Sequence, residues 1–218
     1  MASLELHNTR LATMNPIQLY TLHGLNGIVG CFCVAVLALA STVFYYDSQQ
    51  YYGVPLPVDI RDATPILLMW AGVHGIIDTI TLFFVLRAIR HNVFKTLRAR
   101  QFHDHLFLYV GLFVAARNLV VLIYVFAVYN GAKHFPLDAR DHSGYLTYET
   151  WACGTKGYTQ GMCNSLRATR WVLVPLTMTG VALTGMVVWT WLHRKEERRA
   201  GGGEGLVASG GGGREDEN

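Results

Sequence analysis

Charge is what this chain has least of. Asp, Glu, Lys and Arg make up only 15% of its 218 residues, against the ~25% usual in a globular domain. A helix that folds in water keeps one polar face, and the charged side chains here are too few to supply such faces. The net charge is only +3, and no basic run is interleaved with aromatics, so nucleic acid is excluded as a partner class. No asparagine is followed two places later by Ser or Thr, so no N-glycosylation acceptor is present. No His, Cys, Asp and Glu grouping has metal-ligand spacing, and no nucleophile–base pair stands out. No metal, cofactor or catalytic residue is therefore expected, and the chain reads as non-enzymatic. Neither end carries a lipidation motif. A cleavable signal core is ~7–15 apolar residues long. The first apolar stretch is nearly twice that, and is expected to stay as a signal anchor.

Apolar residues, by contrast, make up 51% of the chain. They gather in four runs, at about 17-45, 65-88, 105-129 and 170-193. Each run holds about twenty or more residues, enough to cross a ~30 Å hydrocarbon layer at ~1.5 Å per residue. The expected fold is an all-α membrane protein, a four-helix transmembrane bundle over 17-195. A short segment, 1-16, precedes it. The Gly-rich stretch 196-218 follows, with too little apolar area to order itself, and is expected to be a flexible, disordered tail.

Charge distribution sets the expected orientation. The linker between the second and third runs carries Arg87, Arg90, Lys95, Arg98 and Arg100, with no acidic residue before Asp104. Arg194, Lys195, Arg198 and Arg199 follow the fourth run. Basic flanks mark the cytosolic side, so both termini are expected there. The basic linker also has Ile89, Val93 and Leu97 at i, i+4, i+8. It is a candidate lipid-headgroup site on an anionic leaflet, or simply the second helix extended past the headgroups.

Two of the four cysteines, Cys153 and Cys163, lie in the second outward loop among Gly154, Gly157 and Gly161. A lumenal or extracellular loop permits oxidation, and a disulfide is expected. Cys31 and Cys33 are mid-span, about 200° apart around the helix axis. They cannot bond each other, and they behave there as small apolar residues.

Ionisable residues at membrane depth are the first place to look for function. His74 and Asp78 lie four apart in the second run, and Arg117 and Asn118 lie near the middle of the third. Counted from the same side, Asp78 and Arg117 fall within about one turn of each other in height. They are expected to pair, with His74 or Asn118 as an added partner. Such a pair either fixes which helices are neighbours or forms part of a proton or ion path. His23 and His74 differ in height by roughly 10 Å, which excludes bis-histidine haem ligation.

Helices in lipid approach through small residues. Gly24, Gly27, Cys31, Ala35 and Ala38 form a stripe on the first run. Ala71 and Gly75 on the second, and Gly111 and Ala115 on the third, have the same spacing. These stripes serve either a tight bundle or self-association. Pro175 is expected to kink the fourth run.

The layout includes a local stretch, Trp151-Ala-Cys153, then Cys163-Asn-Ser-Leu-Arg-Ala-Thr-Arg170-Trp171 running into the last span. It resembles the MARVEL-type four-span proteins, including the small fungal ones, over roughly residues 15 to 195. That resemblance implies a membrane organiser or scaffold of the plasma membrane or endomembranes. Its partners would be the lipid bilayer and either its own copies or other membrane proteins. The alternative is a small transporter or channel subunit using Asp78, Arg117 and His74.

Overall fold

The computed structural model describes residues 15–48, 63–91, 97–133, 147–154 and 160–208, without the side chains of 46–48, 97–101 and 197–208. Its elements are α1 (Pro16–Ser48), α2 (Thr64–Arg90), α3 (Leu97–Ala132), α4 (Tyr148–Gly154) and α5 (Gln160–Ala208). Four of them are long and apolar enough to cross a membrane: Pro16–Tyr45, Thr64–Arg90, Phe102–Ala132 and Gln160–Glu196. As expected, the described elements are all helical, and four of them have the length and apolarity a membrane span needs.

Local chemistry explains where the helices start. The Asn15 side chain accepts the Ile17 amide at 3.1 Å and Pro16 opens the first turn, where its missing N–H removes no intrahelical bond. Pro65 plays the same part in the first turn of α2. The short α4 is nucleated by a reciprocal cap. The Thr150 amide donates to Thr147 Oγ1 at 3.1 Å, and the Thr147 amide donates to Thr150 Oγ1 at 3.0 Å. This is a capping box with threonine in the position usually held by Glu or Gln.

The last helix departs from expectation at both ends. It begins at Gln160, well before 170, because its first turns are amphipathic rather than wholly apolar. Met162, Cys163 and Leu166 are buried against Trp151, Ala152 and Val43, while Gln160 and Asn164 pair on the outside. A search for unbroken apolar runs passes over such a segment. At the other end the backbone stays helical to Ala208, where composition alone points to disorder from 196. A helix continuing from a stable span adds a hydrogen bond per residue without a new nucleation step. Pro175 lies inside this helix without ending it. The segment before residue 15, and 209–218 of the tail, lie outside the described residues.

The four long helices form a ring. α1 packs against α2 and α5, and α3 packs against the same two. Leu22, Leu68, Leu82, Phe107, Leu173 and Leu183 are among the side chains filling the middle. Only 28–39% of each span's most apolar window is buried inside the bundle. The rest points outward, including Tyr109 at 69% and Met178 at 70% exposure. In water such a band would be a large sticky patch. Around a transmembrane bundle it is the surface that meets acyl chains.

Candidate functional site: ion pairs at three levels of the bundle

Asp78 lies in the middle of α2 and Arg117 in the middle of α3. Arg117 Nη1 donates to Asp78 Oδ2, joining the two helices as an ion pair. The approach depends on Gly75, one turn from Asp78. A Cβ there would meet Cys33 Sγ of α1 and lie 3.2 Å from Arg117 Nη2. Glycine therefore lets α1, α2 and the guanidinium converge.

The other two members of the expected polar cluster do not join the pair. His74 Nδ1 is 3.0 Å from the Trp70 carbonyl oxygen of its own helix, and its ring lies 4.9 Å from the Trp70 ring. Asn118 is rotated about 100° from Arg117 and faces α5. A Cβ at Gly180 would lie 3.0 Å from its amide nitrogen, and its backbone carbonyl accepts Thr177 Oγ1 at 3.4 Å. Among the described residues, Arg117 Nε and Nη2 and both amide atoms of Asn118 are buried without a hydrogen-bond partner. An unmet buried donor or acceptor costs about 1–3 kcal/mol, so this level of the bundle carries polar groups beyond those its pair uses.

Among the described residues, two further ion pairs lie at the ends, and neither was anticipated. At the α4 end, Arg170 Nη2 is 2.9 Å from Glu149 Oε1. The Arg170 guanidinium also sits 3.4 Å over the Tyr129 ring and 5.6 Å from that of Phe126. Beside this pair, Thr64, Leu68, Tyr129 and Thr147 help line a recess of about 10 Å³, room for about one water. At the opposite end, Arg194 Nη1 is 3.3 Å from Asp104 Oδ1, linking α5 to α3. Depth counting of the kind that pairs Asp78 with Arg117 would have found Asp104 and Arg194. Glu149 sits in a loop helix whose placement sequence does not give.

The expected disulfide between Cys153 and Cys163 is formed and ties α4 to α5. Cys31 faces outward and Cys33 is buried.

The small residues divide by face. Gly111 is buried against α5, where a Cβ would lie 2.9 Å from a Val187 methyl. Its carbonyl accepts Thr184 Oγ1 at 2.6 Å. Ala71 is buried and Ala115 half-buried. Gly24 and Gly27, expected at a helix contact, instead face outward with nothing within 4 Å of a Cβ. The reason is register. The inward face of α1 is Leu22, Asn26, Val29, Cys33 and Val36, and Gly24 and Gly27 lie off it. The close contacts missed are Gly72, where a Cβ would lie 2.9 Å from Leu37 Cβ, and Gly30 against Thr79. Asn26, on the inward face, donates to the Thr79 carbonyl at 2.9 Å. Of the basic linker, Arg87 and Arg90 are exposed in the last turn of α2, where cations complement the helix dipole. Lys95 and the side chains of Arg98 and Arg100 lie outside the described residues.

Among the described residues, no group of three or more His, Cys, Asp or Glu side chains converges as a metal site would require. No family model, no curated protein and no solved structure matches the chain.

Proposed function

We propose that this chain is a non-enzymatic, MARVEL-like membrane organiser that acts by lateral helix packing and lipid contact. Both termini face the cytosol, in the plasma membrane or an endomembrane. The observation that carries this reading is how the buried charges of the bundle are used. Each pair, Asp78–Arg117, Glu149–Arg170 and Asp104–Arg194, joins two different helices. Ion pairs of this kind fix neighbours and rotation in a medium that gives helices no hydrophobic reason to associate. His74 bonds to its own helix, so it adds no rung between the middle pair and either end. Arg87 and Arg90 are exposed where α2 ends, and suit anionic headgroups on the cytosolic leaflet.

A second reading, a small transporter or channel subunit, is favoured by one observation: the unpartnered nitrogens of Arg117 and the unpartnered amide of Asn118 at mid-bundle. A flux assay separates the two. Purified protein in sealed liposomes is expected to pass protons and small ions no faster than protein-free vesicles do. Protein-dependent flux that Asp78→Asn abolishes would overturn the organiser reading. Protease applied to sealed vesicles tests orientation. The tail and the loop between α1 and α2 are expected to be cut from opposite sides.

A further inference from the structure

The seam between α2 and α3 is the most sparsely packed of the four around the ring, and the mid-bundle ion pair stands in it. The Arg117 side chain is 1% exposed, whereas that of Asp78 is 17% exposed. The carboxylate therefore reaches the mouth of the seam. Its Oδ2 takes the Arg117 donor, and Oδ1 receives no hydrogen bond among the described residues. One turn away on the same face, His74 is half-buried. A carbonyl can only accept, so the bond to the Trp70 oxygen places the proton on Nδ1. With that single ring proton, Nε2 is the acceptor. Two unused acceptors thus stand one turn apart in the middle third of α2. Their rim is apolar: Trp70 is 41% exposed and Ile77 is 52% exposed. Acyl chains have no donor to offer them.

We propose that this face docks a transmembrane helix of a partner membrane protein carrying a neutral hydrogen-bond donor, a hydroxyl or carboxamide side chain, at mid-depth. The donor is neutral because Arg117 already balances the Asp78 charge. A second copy is the poorer fit. Among the described residues, the exposed side chains of α1, α3 and α5 at the height of the pair are apolar apart from Cys31, whose thiol is a weak donor; the exposed Tyr109 hydroxyl and Trp189 indole lie about two turns nearer the Asp104–Arg194 end. The proposal names a partner class for the lateral role above and rests on that role. The two fail separately, since peptide docking is read without any flux measurement.

The test uses the full chain in liposomes, labelled on its C-terminal tail. The probes are fluorescent leucine-rich transmembrane peptides of about 20 residues, diluted until they do not pair with themselves. One peptide carries a central Asn, one carries Asn near an end, and one is all leucine. Energy transfer reports association. The central-Asn peptide is expected to bind roughly 3- to 30-fold more tightly than the other two, the range an interhelical hydrogen bond in lipid supplies. His74→Leu leaves the Asp78–Arg117 pair in place and is expected to shrink that advantage several-fold with an unchanged unfolding midpoint. Equal binding of all three peptides would overturn the proposal. So would an undiminished advantage in His74→Leu, or chains that pair with each other through this face and lose that pairing in the variant.

Discussion

Arg117 and Arg170 are both buried against a carboxylate, yet the two ends of the comparison are built differently. Arg170 has Glu149 at 2.9 Å and the Tyr129 ring at 3.4 Å. The helix that brings Glu149 is also held by the Cys153–Cys163 disulfide and by buried Trp151 and Ala152. Arg117 has Asp78 and, at 5.8 Å, the Phe113 ring. Among the described residues its Nε and Nη2 have no hydrogen-bond partner, whereas at Arg170 only Nε lacks one. Redundant fastening of the buried arginine is thus concentrated at the α4 end, while Arg117 at mid-bundle relies on one carboxylate. Electrostatics points the same way. A lone charge at mid-membrane is harder to solvate than one near an interface, so removing a partner matters most at the middle.

The sharpest way to break this comparison is to remove Arg117. Arg117→Leu strands the Asp78 carboxylate at the half-buried seam, and a loss of about 3–5 kcal/mol is expected, as for other broken buried pairs. The double change Asp78→Leu with Arg117→Leu is expected to recover most of it, because two apolar side chains leave no uncompensated charge. Reversible unfolding in mild detergent reads both. A loss under about 1 kcal/mol for the single variant would mean that the middle is as well backed as the α4 end.

The disulfide comes next. Cys153 and Cys163 are 10 residues apart, so opening the ring by Cys153→Ser is expected to cost about 2–3 kcal/mol of chain entropy. α4 should nevertheless stay docked, because Glu149, Trp151 and Ala152 are buried and Glu149 pairs with Arg170. Trp151 fluorescence, followed beside a Trp151→Phe control, should keep its buried emission in Cys153→Ser. A red shift would show that the covalent tie alone holds the helix.

Features set by length and depth were open to sequence reading, and features set by rotation were not. The four spans follow from apolar run length, because hydrocarbon thickness fixes how many residues a helix needs. The Asp78–Arg117 pair follows from counting heights along two antiparallel helices. The disulfide follows from two cysteines in one outward loop. Asn118 and His74 miss the pair because rotation about each axis decides which neighbour a side chain meets. The helices are apolar on nearly every side, so their sequences mark no inward face. Gly24 and Gly27 went astray for the same reason: small-residue spacing is identical on a face that packs and a face that does not. α4 was legible in principle from Thr147 and Thr150, a cap signature three residues apart. Its partner Glu149 was not, since a loop gives no height to count from.

Glycine gives a finer test of the same contrast between supported and unsupported positions. A side chain at Gly111 must displace Val187 from the α3–α5 contact. Gly111→Val is expected to cost about 1–3 kcal/mol, as overpacking does. A paired Val187→Ala makes room and should recover part of the loss. Full cost with no recovery would move the contact elsewhere than Val187.

Gly27→Leu should show the smallest effect, and its sign carries the information. A Cβ at this position meets nothing within 4 Å, so no clash opposes the new side chain. Replacing glycine inside a helix removes backbone entropy from the unfolded chain and gains up to about 1 kcal/mol in propensity. The expected change in the unfolding free energy therefore runs from zero to a small gain. Measured in micelles holding one chain each, it excludes any contact between copies. A loss above about 1 kcal/mol there would place Gly27 against another helix of the same chain. That outcome would rotate α1 within the ring and turn Leu22 and Val29, now buried, towards the lipid. Agreement between Gly27→Leu and Gly111→Val would erase the distinction between the two glycine faces. Opposite signs would fix the rotation of α1 independently of the charged pairs.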